Sequence, residues 1–147
     1  MNIRPYDAAR DLERCLAIWR AASEVGHPFL GREALDADAD LVRDVYMPRA
    51  ETYVAEEDGR VVGFVALLDA FVGGLFVDPA AHGRGVGAAL VAHAARKQGL
   101  LEVEVYAQNA GARAFYTRVG FVETQRRDED DQGRPHALVR MTRPAPG

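Results

Sequence analysis

A glycine-rich stretch, Gly83-Arg84-Gly85-Val86-Gly87, constrains this chain more than any other feature of its sequence. It follows an apolar run that ends at Val77 and precedes an Ala-rich segment that runs to about Lys97, so it joins a predicted strand to a predicted helix. Glycines at such a junction let the backbone adopt a positive φ and approach a ligand closely. The free N–H groups of the first helical turn then form an anion site suited to phosphate or pyrophosphate, unless the glycines serve only as a tight turn.

Hydrophobic patterns on both sides of this loop predict the element order β-α-α-β-β-β-α-β-α-β-β. Strands are predicted at 2–6, 52–56, 61–68, 71–77, 101–107, 122–127 and 137–141. Helices are predicted after the N-cap Asp7, from about 35 to before Pro48, from near Gly85 to about Lys97, and at 109–119. A run of antiparallel strands followed by a βαβ crossover implies a mixed sheet in an α/β (α+β) domain. Along 101–107 the side chains of Glu102, Glu104 and Tyr106 share one face of their strand.

The length of 147 residues fits one domain, residues 1–147, with a loose tail at 143–147. Hydrophobic residues make up 48% and charged residues 27%, which are ordinary globular values and argue against disorder. The one cysteine, Cys15, excludes an internal disulfide framework and a multi-cysteine metal site. Because Leu12, Cys15 and Trp19 recur at helical spacing, Cys15 is predicted to be a core residue and not a nucleophile.

Charge and hydropathy argue against several classes of partner. No stretch approaches the roughly 18–20 apolar residues of a membrane helix, and the first residues lack the apolar core of a signal peptide, so we expect a cytoplasmic protein without a membrane partner. A net charge of −4 repels a phosphate backbone, so we expect no nucleic-acid partner. Acidic residues are dense at 33–44 and 128–131, where we expect solvated surface. The functional alternative is a rim that attracts a cationic substrate.

Two classes of ligand compete for the glycine loop. Residues 83–88 also satisfy the dinucleotide pattern G-x-G-x-x-G/A, and Glu102 and Glu104 lie near the distance expected of a ribose-binding acid. That pattern usually follows the first strand of a doubly wound parallel sheet. Here several predicted strands precede the loop and a hairpin ends the chain, so a pyrophosphate-bearing acyl carrier is favoured over a dinucleotide.

Three stretches of the chain form an ordered set of motifs. The first, Leu75-Phe76-Val77-Asp78-Pro79, is a strand and turn before the loop. The second, residues 82–88, fits Q/R-x-x-G-x-G/A with His82 in the place of Arg or Gln. The third, residues 109–121, fits N-x-x-A-x-x-F-Y-x-x-x-G-F. Together they resemble the GCN5-related N-acetyltransferase (GNAT) superfamily, and the matching strand order extends this resemblance over essentially the whole chain.

The resemblance implies a twisted, mostly antiparallel GNAT-like sheet with helices on both faces, and transfer of an acetyl group from acetyl-CoA to a primary amine. In the family, the strands that end near Val77 and Ala107 splay apart to admit the pantetheine arm, and the loop's backbone N–H groups hold the pyrophosphate. The implied acetyl-CoA contacts are with Leu75, Phe76, Val77, His82, Gly83, Arg84, Gly85, Val86, Gly87, Ala88, Asn109 and Tyr116. Asn109 is also a plausible helix N-cap. The hydroxyl of Tyr116, at the family's tyrosine position, would donate a hydrogen bond or proton to the leaving sulfur.

The acceptor side is the less defined part of the resemblance. The W-x(7)-H-x-F-L element from Trp19 to Leu30 resembles a subset of short bacterial members, some of which are described as protein-lysine acetyltransferases. An alkylamine is mostly protonated at pH 7 and needs a base, for which His27 in this element is the first candidate. The alternatives are Asp69, Glu102, Glu104 and water.

Several functional questions stay open in the sequence. No pair among the four histidines has metal-ligand spacing, so no metal is expected. The acceptor is either a small molecule or a protein, through a lysine or the N-terminus. A homodimer is one option for the oligomeric state. The alternative function is a regulatory module that binds acyl-CoA without turnover.

Overall fold

Seven strands form one mixed sheet in the computed structural model, which describes residues 1–146. The strands are β1 (Asn2–Pro5), β2 (Glu51–Glu57), β3 (Arg60–Leu68), β4 (Phe71–Val77), β5 (Leu101–Tyr106), β6 (Val122–Arg127) and β7 (Leu138–Arg143), in the spatial order β1-β2-β3-β4-β5-β7-β6. Only β4 and β5 pair in parallel, and all other neighbours are antiparallel. The predicted mixed, mostly antiparallel sheet is thus confirmed.

Five α-helical segments connect the strands. They are α1 (Ala8–Gly26), α2 (Gly31–Leu41), α3 (Met47–Arg49), α4 (Val86–Gln98) and α5 (Ala110–Arg118). A π-helical turn, Val42–Tyr46, joins α2 to α3. The second predicted helix therefore does not end before Pro48, because this proline falls in the first turn of α3, where its missing N–H costs no hydrogen bond.

Helices pack on both faces of the sheet, as the resemblance implies. On one face, α1 buries Cys15 and Trp19 against Phe64 of β3. On the other face, α4 buries Leu90 against Val65 and its neighbours. Cys15 is 1% exposed, and burial raises the pKa of its thiol to about 12, so it is an unreactive core residue, as predicted.

The parallel pair β4–β5 separates after two residues. Only Phe71 pairs with Glu102, and Val72 with Val103. Beyond this point β4 stays paired with β3 as far as Val77, while β5 stays paired with β7. The two strands therefore diverge toward their carboxyl ends, which confirms the expected splay and leaves a gap between them.

Two histidines for which the sequence favours an exposed position, His93 and His136, are half-buried. The His93 ring lies 4.5 Å from the Tyr53 ring, and the His136 ring lies 5.1 Å from the Phe29 ring, between centroids. Their own neighbours in the sequence are polar or small and give no sign of this packing.

Residues 1–146 include no helix with both the length and the apolar character needed to cross a membrane. Within the same residues, no three His, Cys, Asp or Glu side chains are placed to hold a metal ion together. Strand β7 extends to Arg143, beyond its predicted end at residue 141. Gly147, in the tail that we expect to be loose, lies outside the described residues.

Candidate active site

A cavity of about 1280 Å³ occupies the gap where β4 and β5 separate. Its walls come from these two strands, the end of α1, and the first turns of α4 and α5. The predicted site residues that line it are His27, Leu75, Phe76, Val77, His82, Gly83, Gly85, Val86, Gly87, Ala88, Asn109 and Tyr116. The fold thus brings distant parts of the chain to one cavity.

The glycine loop meets this cavity at the start of α4. Gly83 and Gly85 both have φ of 80°, a conformation that L residues with a side chain rarely adopt. A Cβ atom at either position would meet nothing within 4 Å, so both glycines face open space. Gly85 is the N-cap of α4 without a side-chain cap, and the N–H groups of the first helical turn have no partner within the helix. This loop can therefore hold an anion.

His82 and Arg84 are placed differently from each other. His82 is exposed and lines the cavity. The Arg84 guanidinium turns away to bond Glu57 Oε1 at 3.0 Å, and Arg84 does not line the cavity. In this structure the Arg84 side chain is exposed and pairs with Glu57 outside the cavity.

Gly87 has a packing role in addition to its place in the loop. A Cβ atom there would lie 3.0 Å from Cζ of Phe115 on α5. The absence of a side chain lets the first turn of α4 approach α5 closely. The spacing between the two helices at the cavity therefore depends on this glycine.

Strand β4 presents an unpaired backbone edge to the cavity. Leu75 and Phe76 pair with Val65 and Phe64 of β3, whereas no residue after Val72 pairs with β5. The backbone groups of residues 73–77 that face away from β3 have no strand partner. They can bond an extended ligand that carries amide groups.

Asn109 connects α5 to the end of α1. Its Oδ1 accepts a hydrogen bond from the Ala112 N–H at 3.0 Å, which confirms the predicted N-cap. This orientation of the amide leaves Nδ2 to donate to His27 Nε2 at 3.1 Å. Because an amide N–H can only donate, the neutral His27 ring carries its proton on Nδ1.

His27 is half-buried among aromatic rings. Its ring lies 4.9 Å from Tyr106 and 5.8 Å from Phe29 between centroids, in edge-on contacts. Burial lowers the pKa of His27 to about 4, and the Asp38 carboxylate opposes this shift only in part. The imidazole is therefore neutral near pH 7 and can accept a hydrogen bond or a proton.

Tyr116 lies deeper in the same cavity and is 5% exposed. Its ring packs edge-on between Phe115 and Phe121, with centroid distances of 5.2 and 5.0 Å. No group within residues 1–146 forms a hydrogen bond with its hydroxyl. Burial raises the pKa of Tyr116, so the hydroxyl keeps its proton and can donate a hydrogen bond.

The other candidate bases are less well placed. Asp69 lies in the β3–β4 turn and does not line the cavity, and neither does Glu102, which pairs with Arg140 at 3.0 Å. Glu104 does line the cavity but forms an ion pair with Arg127 at 3.0 Å. Of the four side chains considered from the sequence, His27 is the one in the cavity without an ion-pair partner.

Tyr106 and Asp130 form a pair that the sequence analysis missed. The Tyr106 hydroxyl donates to Asp130 Oδ2 at 2.7 Å, and Asp130 Oδ1 accepts the backbone N–H groups of Gln132 and Arg134 at 3.0 and 2.9 Å. Asp130 is 4% exposed, so the solvated surface expected at 128–131 is wrong for this residue. Burial by itself would raise the pKa of Asp130, but the hydrogen bonds outweigh it and hold this pKa below its usual range.

The loop between β6 and β7, residues 128–137, is tied to α2. Arg134 forms a two-point ion pair with Asp38, with N–O distances of 2.9 and 3.0 Å. Gln132 Nε2 donates to the Tyr46 hydroxyl at 3.3 Å. Because Asp38, Tyr46 and Gln132 line the cavity, α2 and this loop form one continuous wall, which we call the α2–loop wall.

Comparisons with known proteins agree with this geometry. A family model described as "Acetyltransferase (GNAT) domain" matches residues 48–123. Peptidyl-lysine N-acetyltransferase YjaB of Escherichia coli (strain K12) is 38% identical over 130 residues, which cover 88% of each chain. Peptidyl-lysine N-acetyltransferase YiaC of the same organism is 37% identical over 112 residues, 76% of this chain and 77% of that one. The solution structure of apo-form YjaB from Escherichia coli has a TM-score of 0.87 at 36% identity, and covers 96% of this chain and 95% of that chain.

Proposed function

The chain belongs to the GNAT family of acetyltransferases and is an acetyl-CoA-dependent N-acetyltransferase, and we propose that its acceptor is the side-chain amine of a lysine in a protein. The observation that carries this proposal is the similarity to two relatives named peptidyl-lysine N-acetyltransferases, each matched over more than two thirds of both chains. Family membership argues against the dinucleotide alternative, and the position of the glycine loop after β4 of a mixed sheet agrees.

The charge of the cavity suits a cationic acceptor. Its described lining includes the carboxylates of Asp38, Glu104, Asp130 and Asp131 but one guanidinium, that of Arg118. Each of these four carboxylates forms an ion pair with Arg127 or Arg134, so two guanidinium groups neutralise the four acids in part. The remaining negative field favours an ammonium group over an uncharged acceptor.

The glycine loop and the edge of β4 fit acetyl-CoA as the donor. The open space at Gly83 and Gly85 admits a pyrophosphate to the free N–H groups of Val86, Gly87 and Ala88. The unpaired edge of residues 73–77 fits the amide-bearing pantetheine arm. Asn109, at the far side of the gap, would border the same arm. We assign no ligand contact to the side chain of Arg84, because it bonds Glu57.

An ammonium acceptor loses two protons in this reaction, one before its nitrogen can attack and one as the amide forms; one proton reaches the sulfur and the other is released to solvent. The amine nitrogen attacks the thioester carbonyl carbon, an N–C bond forms, the C–S bond breaks, and coenzyme A leaves as a thiolate that takes up a proton. Tyr116 fits the role of proton donor to this sulfur, because its hydroxyl is protonated, buried and without another partner within residues 1–146. Its packing between two phenylalanine rings holds the hydroxyl in place.

Of the candidate bases, His27 is the best placed to receive a proton from the ammonium, and a pKa of about 4 makes its ring a weak base. Its Nε2 lone pair accepts a hydrogen bond from an N–H of Asn109. An N–H of the substrate amine can take the place of that donor, because it also donates a hydrogen bond. Since burial lowers the pKa of His27 to about 4, the ring is unprotonated at any pH near neutrality. If His27 is the base, the acidic limb of the pH–rate profile lies near 4 and not near the ordinary value of 6.5.

The test compares three acceptors under saturating acetyl-CoA. They are a peptide with one lysine and a blocked N-terminus, the same peptide with norleucine for lysine and a free N-terminus, and a small polyamine. Thiol release gives the rate, and mass spectrometry gives the acetylated atom. We expect kcat/KM for the lysine peptide to exceed the others by at least about tenfold. A faster reaction with the polyamine or the free N-terminus would contradict the proposed acceptor.

A further inference from the structure

The cavity contains a hydroxyl group, that of Tyr106, which donates its hydrogen to a buried carboxylate. Tyr106 is the last residue of β5 and lines the cavity at the α2–loop wall. Its O–H donates to Asp130 Oδ2, and the Asp130 side chain is 1% exposed. A carboxylate can only accept, so the single hydroxyl hydrogen of Tyr106 is committed to Asp130.

The bond between Tyr106 and Asp130 is not needed to form the loop. Asp130 Oδ1 alone organises the turn by accepting the N–H groups of Gln132 and Arg134. Arg134 in turn anchors the loop to Asp38. The second oxygen, Oδ2, lies 3.5 Å from Arg134 Nη1 and accepts its short bond, at 2.7 Å, from Tyr106. This bond leaves the Tyr106 oxygen with lone pairs and no hydrogen to offer the cavity.

We propose that the Tyr106 oxygen accepts a hydrogen bond from the acceptor amine, and that Tyr106 thereby selects acceptors that carry N–H groups. The inference rests on the proposed function for the identity of the amine, but any primary amine would make the same contact. Asp130 is the positioning residue, because it acts on the acceptor through Tyr106.

The position of His27 agrees with this assignment. The rings of Tyr106 and His27 lie 4.9 Å apart between centroids, and the Nε2 lone pair of His27, which accepts an N–H from Asn109 in this structure, is the one that an N–H of the amine would take over. The wall of the cavity thus carries two neighbouring hydrogen-bond acceptors. A primary ammonium has three N–H donors and can bond both. A trimethylammonium group carries the same charge but has no N–H donor.

The test measures how strongly the protein prefers N–H donors. Dissociation constants are measured by calorimetry, in the presence of saturating coenzyme A, for a lysine peptide and for the same peptide with trimethyl-lysine. The wild type should bind the lysine peptide more tightly. A hydrogen bond to a charged group predicts that Tyr106→Phe reduces this preference by about tenfold or more. An unchanged preference, or an equal loss for both peptides, would overturn the proposal.

Asp130→Asn tests whether the direction of the Tyr106 hydrogen bond matters, because it leaves the tyrosine itself in place. The backbone N–H groups of Gln132 and Arg134 require an oxygen at the Oδ1 position, so the new amide nitrogen must face Tyr106. The Tyr106 oxygen would then accept from this amide and turn its hydrogen toward the cavity. The preference for lysine should fall at least as far as in Tyr106→Phe. A wild-type preference in this variant would refute the role of Asp130.

Two controls separate this effect from loss of fold. Tyr53→Phe also removes a tyrosine hydroxyl, but Tyr53 packs on the α4 face and its hydroxyl bonds Glu51, so its peptide preference should equal that of the wild type. Affinity for acetyl-CoA should be unchanged in Tyr106→Phe, and the variant should still unfold cooperatively in urea, with a thermal midpoint lowered by the loss of one hydrogen bond to a buried carboxylate. If the wild type acetylates small amines but no lysine peptide, the proposed acceptor is wrong, and butylamine with butyltrimethylammonium replaces the two peptides. A wild type that does not prefer the N–H-bearing member of the pair overturns the inference itself.

Discussion

Replacing His27 with glutamine should make the free energy of unfolding less dependent on pH below neutrality. The change removes a titrating group, and a glutamine carbonyl can still accept the N–H of Asn109 that His27 Nε2 accepts. In the unfolded chain the imidazole has its ordinary pKa of 6.5, and in the folded protein burial lowers the pKa to about 4. The buried ring therefore favours the folded state only while it is neutral.

The magnitude follows from this difference in pKa. Above pH 6.5 the ring is neutral in both states, so its stabilising contribution is fully present. As the pH falls from 6.5 toward 4, the unfolded chain binds a proton that the folded chain does not bind. The free energy of unfolding of the wild type then decreases by about 1.4 kcal/mol per pH unit, and by about 3 kcal/mol in total. The variant lacks this contribution.

Urea unfolding between pH 4 and pH 8 measures the effect through the fluorescence of Trp19, which is buried. Other titrating groups contribute equally to both proteins, so the difference between the two profiles isolates His27. The free energy of unfolding of the wild type should fall by about 3 kcal/mol more than that of His27→Gln over this range. Parallel profiles, or a His27 titration near pH 6.5 by NMR, would refute the argument from burial.

Three further predictions concern the donor side and the loop. Tyr116→Phe should keep acetyl-CoA affinity and lower turnover by about 10²–10⁴-fold, and unchanged turnover would make Tyr116 a packing residue. Gly85→Asp should weaken acetyl-CoA binding in calorimetry, because a carboxylate in the open space at the start of α4 would oppose the pyrophosphate, and equal affinity in the folded variant would reject the anion site. Gly87→Asp should weaken binding as well, because its side chain would displace Phe115 and change the spacing of α4 and α5 at the cavity. Arg134→Ala should lower the free energy of unfolding, measured in urea, by about 1–3 kcal/mol, since it breaks the two-point ion pair with Asp38. Adding Asp38→Ala should lower this free energy by little more, because the pair is already broken.

The element order and the shape of the glycine loop could be predicted because their signals are local. Alternation along 101–107 indicates a strand, and the glycines at 83–87 indicate a tight strand-to-helix junction, without reference to any distant residue. Asn109 at a helix start is likewise a local signal, and the cap it predicts is present. The single-domain organisation, the cytoplasmic location and the option of a homodimer remain predictions.

The acceptor half could not be predicted in the same way. His27 meets Asn109 across 82 positions, and Arg134 meets Asp38 across 96. Asp130 stands in an acidic run that, by composition, is typical of solvated surface. Its position before a Gly-containing turn was the available local signal, since aspartate side chains commonly bond backbone N–H groups in turns.

The sequence by itself determined which segments become strands and helices and where glycines open the start of α4, because periodicity and glycine act within a few residues. Only the tertiary structure decided which carboxylate is buried, which tyrosine it bonds and what pKa His27 has. Those properties depend on desolvation and on partners that the folded sheet brings together from distant positions. The chemistry of the acceptor wall is therefore a property of the assembled fold and of no single motif.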